Sequence, residues 1–181
     1  MMRKTVLVML FLFVLTACAD SKDGVTTKDL AIQKVNDHKA IVKYGMSRAE
    51  AEEVLGKGED KDIANSVMYS SGVRIMYRED KVAGITLAEE SKDTYETIGG
   101  FKIGMSKDNF KQIYGDQYLK EMERNLDYAY DATNKRYLQE KEWVAKAEDD
   151  TKIYVISAMF NGKGDADGIV LLDKRMAITL R

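Results

Sequence analysis

The 181-residue chain contains no proline, a single cysteine, a single histidine and a single tryptophan. Without proline, every tight turn must draw on glycine, asparagine, aspartate or serine. With one cysteine, Cys18, no internal disulfide can form. Charge of one sign is also scarce, with 28 basic against 30 acidic residues and a net charge of −2. That balance argues against a nucleic-acid partner, which wants a basic footprint. No apolar run approaches the roughly 20 residues that a membrane-spanning helix needs.

The longest apolar run, Val6 to Leu15, follows Arg3 and Lys4. A positive start and an apolar stretch of this length predict a secretory targeting segment. The run ends in Leu15-Thr16-Ala17-Cys18, which resembles the lipobox of bacterial lipoproteins. The resemblance implies cleavage before Cys18 and a diacylglycerol on its thiol, with further acylation of the new amino terminus. An ordinary signal peptide with an incidental cysteine is the alternative. Two or three acyl chains, at ~0.8 kcal/mol per buried methylene, give stable anchoring without a span. The resemblance thus implies a lipid-anchored protein facing the extracytoplasmic side of a cell membrane. Single-cysteine usage points to a single-membrane, Gram-positive-type envelope, with an outer membrane as the other option.

Residues 18–26 read as the lipidated cysteine and a polar, flexible tether. Loss of residues 1–17 removes two positive charges, so the charge moves from −2 to −2 − 2 = −4. Beyond the tether, a phrase occurs twice. Gly45-Met46-Ser47 opens a stretch closing at Leu55-Gly56, and Gly104-Met105-Ser106 opens one closing at Tyr114-Gly115. Matched positions share one offset, 104 − 45 = 59 and 115 − 56 = 59. A fixed period with the same punctuation predicts one supersecondary unit used twice.

Each phrase predicts a short helix. Ser47 with Glu50 is a capping box, Ser106 caps the second helix, and Gly56 and Gly115 stand where a left-handed stop is needed. After each helix the apolar period changes from 3.6 to 2. Val67 to Tyr69, Val73 to Tyr77 and Val82 to Leu87 read as strands in unit one. Ile153 to Phe160 and Gly168 to Leu172 echo the last hairpin, with one extra residue in the second turn. Thr27 to Lys39 carries Leu30, Ala31, Lys34, Val35 and His38 at helical spacing, which predicts a leading helix. Residues 116–150 read as an insertion in unit two: Asp127 to Asp131 alternates like a strand, and 135–147 fits a helix or a strand. The expected fold is α+β: two tandem helix-plus-antiparallel-meander units, 27–90 and 91–181.

The Gly-Met-Ser phrase, the short capped helix, the closing Leu55-Gly56 and the strand Val82-Ala83-Gly84-Ile85 resemble the β-lactamase inhibitory protein fold. They are also similar to small outer-membrane lipoproteins of the SmpA/OmlA type. Unit two carries the likeness in Gly104-Met105-Ser106, Ile113-Tyr114-Gly115 and Gly168-Ile169. The resemblance implies that the two units form one continuous, concave antiparallel sheet, backed by short helices, that grips a partner protein, but no inhibitor contact loop is matched here. It also leaves this chain without the disulfides that brace the inhibitor.

Chemistry is sparse. His38 is the only imidazole and Cys18 is committed to lipid on the reading above, so nucleophile–histidine pairs and zinc sites lack their parts. Asp165-Ala166-Asp167-Gly168 is similar to part of a calcium loop, yet Lys163 and Lys174 fall on its first and last ligand positions. A Gly/Asp-rich turn is the simpler reading. Catalytic residues, metal and cofactor other than the acyl lipid are therefore not expected. Aromatics concentrate in unit two, and Tyr128, Tyr130, Tyr137 and Trp143 are the candidate partner-binding residues, since Tyr and Trp dominate interface hot spots. Lining the helix-facing core is their alternative role. The expected function is a non-catalytic protein-binding module, inhibitor-like or an envelope-assembly accessory; the alternative is a sensor for a small molecule or glycan.

Overall fold

A computed structural model describes residues 24–61 and 63–180. Cys18, the targeting segment and most of the tether lie outside the described residues. The tether reading stops short of residue 26, because Val25 is buried in the main core.

The fold is α+β, with a large antiparallel sheet, a small one and four short helices among the described residues. The chain opens with strands β1 (Ala31–Lys34) and β2 (Asp37–Lys43), then helix α1 (Arg48–Leu55). Strands β3 (Glu59–Lys61), β4 (Ser66–Met68), β5 (Val73–Arg78) and β6 (Lys81–Leu87) complete unit one. Next come β7 (Tyr95–Thr97), α2 (Lys107–Tyr114), β8 (Lys120–Met122), β9 (Asn125–Asp131) and β10 (Arg136–Tyr137). The chain ends with α3 (Glu140–Trp143), β11 (Ile153–Phe160), β12 (Ala166–Asp173) and α4 (Lys174–Thr179).

The expected leading helix is absent. Residues 31–43 form the β1–β2 hairpin, which joins β7 in a three-stranded sheet ordered β2-β1-β7. Alternation wins over helical spacing here because Ile32 pairs Val42 on one side and Thr97 on the other, and all three are buried.

The repeated phrase has a defined structural task. Ser47 and Ser106 accept from the backbone N–H of Glu50 and Asn109, and both capping boxes are complete. Gly56 and Gly115 close the helices by donating to Glu52 and Lys111. Their φ values are 82° and 87°, with ψ near −167° and −169°. This is a region open essentially to glycine alone, rather than the left-handed helical stop. The Gly-Met pair then ties each helix to the start of its unit's last strand. Gly45 donates to Val82 and Val82 to Met46; Gly104 donates to Ala166 and Ala166 to Met105.

The large sheet runs β10-β9-β11-β12-β6-β5-β4-β3, with β8 also on β9. The units meet antiparallel along β12 and β6, where Ile169 faces Leu87 and Leu171 faces Ile85. With Ile85 equivalent to Ile169 (169 − 85 = 84), these two pairs exchange under a two-fold axis through the Thr86–Val170 pair. A bulge precedes the equivalent residues Tyr77 and Phe160. Glu79 and Asp80, both at positive φ, make the two-residue β5–β6 turn, and a five-residue turn from Asn161 to Asp165 joins β11 to β12. Asn161 organises that turn by accepting from the N–H of Lys163 and Asp165.

The two-fold also shortens the insertion. β8 and β9 in unit two stand where β3 and β4 stand in unit one, so residues 116–131 have a counterpart. The extra segment is 132–152, carrying β10 and α3 between β9 and β11.

The main core lies between one face of the large sheet and a layer made by α1, α2 and the small sheet. Phe110 of α2 is its centre, with ring centroids of Phe101, Tyr114, Tyr128 and Phe160 at 4.6, 4.8, 5.5 and 6.4 Å. The other face is only partly covered, and the candidate site is there.

Candidate functional site

Directly paired residues share a face of a sheet, so registers give the open face as rows. One row is Ser66, Met76, Gly84, Leu172, Val155 and Ala129. Met76 packs directly over Gly84 in it, where a Cβ would lie 2.5 Å from the Met76 methyl carbon. This apolar row is roofed by Met176 and Ala177 of α4 and by Trp143 of α3. The neighbouring row, Arg74, Thr86, Val170, Ser157, Asp127 and Lys120, is only half-buried.

Between α3 and α4 the sheet floors a cleft of about 460 Å³. Val155, Val170 and Leu172 line its base, with Trp143 and Val144 on one wall and Ala177 and Leu180 on the other. One end is polar. Ser157 donates to Asp127 at 2.5 Å, Asn125 also donates to Asp127, at 2.6 Å, and Lys120 pairs with Glu140 at the rim. The Asp127 carboxylate thus has two donors and sits beside an apolar floor.

Both walls are fixed by polar contacts. At the start of α3 the Gln139 N–H donates to the Glu142 carboxylate at 2.8 Å, and Arg136 reaches Glu142 at 2.7 Å. α4 starts at Asp173, whose side chain accepts from the Met176 N–H. Asp173 is fully buried and also accepts from Tyr44 at 2.5 Å and from both terminal nitrogens of Arg78, at 2.5 and 3.2 Å. Burial, then the contact with Asp173, pushes the Tyr44 phenol well above its ordinary value. The hydrogen bond to Asp173 holds Arg78 firmly protonated. Lys174, 3 % exposed, latches the two walls together. Its ammonium donates to the Ala145 carbonyl at 2.8 Å, pairs with Asp150 at 3.1 Å and lies 5.4 Å from the Trp143 ring centroid. A second, polar hollow of about 530 Å³ lies within the extra segment, between Asp131, Arg136, Lys146 and Asp149.

The four aromatic candidates divide between the faces. Tyr128 and Tyr130 are buried on the helix side, and Tyr137 packs against the same cluster, its ring 5.1 Å from that of Tyr130. For these three the alternative role, lining the helix-facing core, replaces the partner-binding one: Tyr128 faces Phe110, and its phenol donates to the Gly115 carbonyl at 2.5 Å. Trp143 alone lines the cleft. His38 sits exposed on β2, not on a helix, 3.7 Å from Glu96 and away from the cleft. Ser47, Glu50, Gly56, Ser106 and Gly115 occupy the cap positions described above. Among the described residues, no three of His, Cys, Asp and Glu group as metal ligands.

Sequence reading missed the α4 wall, Ala177 and Leu180, and the latch Lys174. A signal was present: Asp173 followed three residues later by Met176 is a cap before an apolar periodic stretch. Comparison with protein-family models, with curated proteins and with solved structures finds no match to this chain.

Proposed function

We propose that this chain is a membrane-anchored extracytoplasmic lipoprotein that acts by binding rather than by catalysis, and that it holds a small amphiphilic molecule in the open-face cleft. The observation that carries this reading is the cleft itself. Its volume falls within the ~300–1,000 Å³ of small-molecule sites, its base is apolar, and its few polar groups gather at one end. An apolar tail along Val155, Val170 and Leu172 would place a polar head beside Ser157, Asp127 and Lys120. Anchoring rests on the likeness of Leu15-Thr16-Ala17-Cys18 to a lipobox.

Native mass spectrometry of the full chain, extracted from its own membrane, tests the reading. One small molecule per chain is expected on the wild type and none on Ala177→Phe, which fills the cleft. Val170→Phe repeats the test from the floor should the first variant fold poorly. A bare wild-type chain refutes ligand binding.

A second reading, a protein partner on the open face, has its own support. Met122 and Met159 are 45 % and 43 % exposed and flank Asn125 in one cross-strand row. Methionines of this kind suit adaptable interfaces. Farther along the same face, on β5, the Arg74 Nε is shielded from solvent without a hydrogen-bond partner. Crosslinking from Met159→Cys in the full chain tests it, and failure to recover a stoichiometric protein would count against it.

A further inference from the structure

The described chain starts beside β9. Gly24 packs on the Tyr130 ring, on the helix side of that strand. On the opposite side of the same strand, Ala129 holds the cluster that contains Leu138, Ile153 and Trp143. Elements packed on a sheet lie ~10 Å from it, so the chain start and the α3 wall flank β9 from opposite faces, near the sheet edge made by β8 and β10. Six residues separate Cys18 from Gly24 (24 − 18 = 6), a reach of at most ~20 Å when fully extended. A lipid on Cys18 therefore brings this edge of the fold to the membrane.

That edge carries an exposed apolar rim. Val144 is 83 % exposed, Ile178 47 % and Leu180 40 %. Val144 and Leu180 border the cleft, and Val144 and Ile178 border the hollow next to it. Three apolar side chains from two separate elements thus converge, Val144 left almost bare by folding and Ile178 and Leu180 only about half covered. Lys141 and Lys146 neighbour Val144, the carboxylates beside them, Glu140 and Asp150, are paired to Lys120 and Lys174, and Arg175 lies one turn before Ile178 on α4. Apolar side chains flanked by cations, with a tryptophan beneath, are the composition of a segment seated at a bilayer interface.

We propose that Val144, Ile178 and Leu180 rest in the headgroup layer of the membrane that carries the anchor, so that the cleft opens onto the lipid surface. The inference rests on the anchoring reading above. It goes beyond that reading by giving the fold an orientation and giving the cleft's ligand a source, the membrane itself.

Trp143 is the only tryptophan and reports the geometry directly. The acylated full chain is reconstituted into vesicles of phosphatidylcholine with a minority of phosphatidylglycerol, with and without bromine on shallow acyl carbons. Interfacial seating buries an apolar face by ~5–10 Å, so bromine is expected to cut Trp143 emission by roughly half. Val144→Asp with Ile178→Asp removes the quenching, and since both positions are exposed the fold is retained. Ile63→Asp, an exposed site at the β3–β4 turn, leaves it unchanged. Intact mass first reports the acyl group on Cys18. An acylated chain that bromine does not quench overturns the inference and leaves the anchor standing. A chain with no acyl group overturns the anchoring reading and the inference with it. Quenching that survives the double aspartate variant overturns the assignment to this rim.

Discussion

Replacing Phe110 by alanine tests the repeat and the core together. Phe110 has no exposed surface and touches four rings, at centroid distances of 4.6 to 6.4 Å. Truncation removes its transfer free energy and leaves a cavity that the rings cannot fill without leaving their own partners. Tyr114 is held by its hydrogen bond to Thr97 and Tyr128 by its bond to Gly115. Phe→Ala changes in cores cost ~3–5 kcal/mol, and the pinned neighbours place this one at ~4–5. For a chain of this length 1 kcal/mol moves Tm by ~2–4 °C, so Tm should fall by ~10–20 °C. Urea unfolding followed by Trp143 emission and far-ultraviolet circular dichroism gives the value, with the denaturant slope unchanged. Unit one supplies the control, because the equivalent position is Ala51 (110 − 59 = 51), also fully buried. The residues there equivalent to Tyr128 and Phe160 are Tyr69 and Tyr77, in the same core as Ala51, and their hydroxyls meet at 3.0 Å. Ala51→Phe should cost ~1–3 kcal/mol by overpacking. A loss below ~1.5 kcal/mol at Phe110 would refute its role as the plug of the core.

Ser47→Ala and Ser106→Ala should each cost ~0.5–2 kcal/mol by urea unfolding, and by similar amounts, since both boxes use the same bonds; a cost at one only would argue that the two helices are not equivalent. Asp173→Ala should cost ~3 kcal/mol, because it strands Arg78 and uncaps α4 at once, and hydrogen exchange should rise first in residues 174–180; uniform exchange would contradict that assignment. Alkaline pH should destabilise the fold: burial first of all raises eight of the ten tyrosines, among them Tyr44, Tyr77, Tyr114 and Tyr128. Their unfolded pKa is ~10, so this contribution is whole below pH ~10 and is lost as pH climbs toward the raised folded values. Urea midpoints that stay level from pH 8 to pH ~11 would contradict it.

What was legible in the sequence was local. Ser47, Glu50 and Gly56 reveal a helix start and stop within ten residues, because caps act on backbone groups a few positions away. The strands from Val73 to Leu87 and from Ile153 to Leu172 follow from alternation, whereas the single sheet came only from the family resemblance and its joining strands, β6 and β12, were not foreseen. Non-local pairing was not legible. Leu30 and Val35 fit a helical stripe as well as a hairpin, and only Tyr95–Thr97, some 60 residues on, decides for the strand. Alternation also groups Tyr128 with Tyr130 without telling which face Phe110 will cover. The cleft needed still more distant partners: Trp143 and Ala177 line its two walls, which Lys174 joins through Ala145 and Asp150.

Methyl resonances give the most direct measurement of what the open face does. The full chain, labelled at its methyl groups, is titrated with dodecylphosphocholine below the concentration at which it forms micelles. Ligand binding in the cleft predicts saturable shifts at Val155, Val170, Leu172, Ala177 and Leu180, with Val73 and Ile75 in the main core unmoved. Shifts centred on Met122 and Met159, or shifts that grow without saturating, would contradict a cleft that holds one amphiphile.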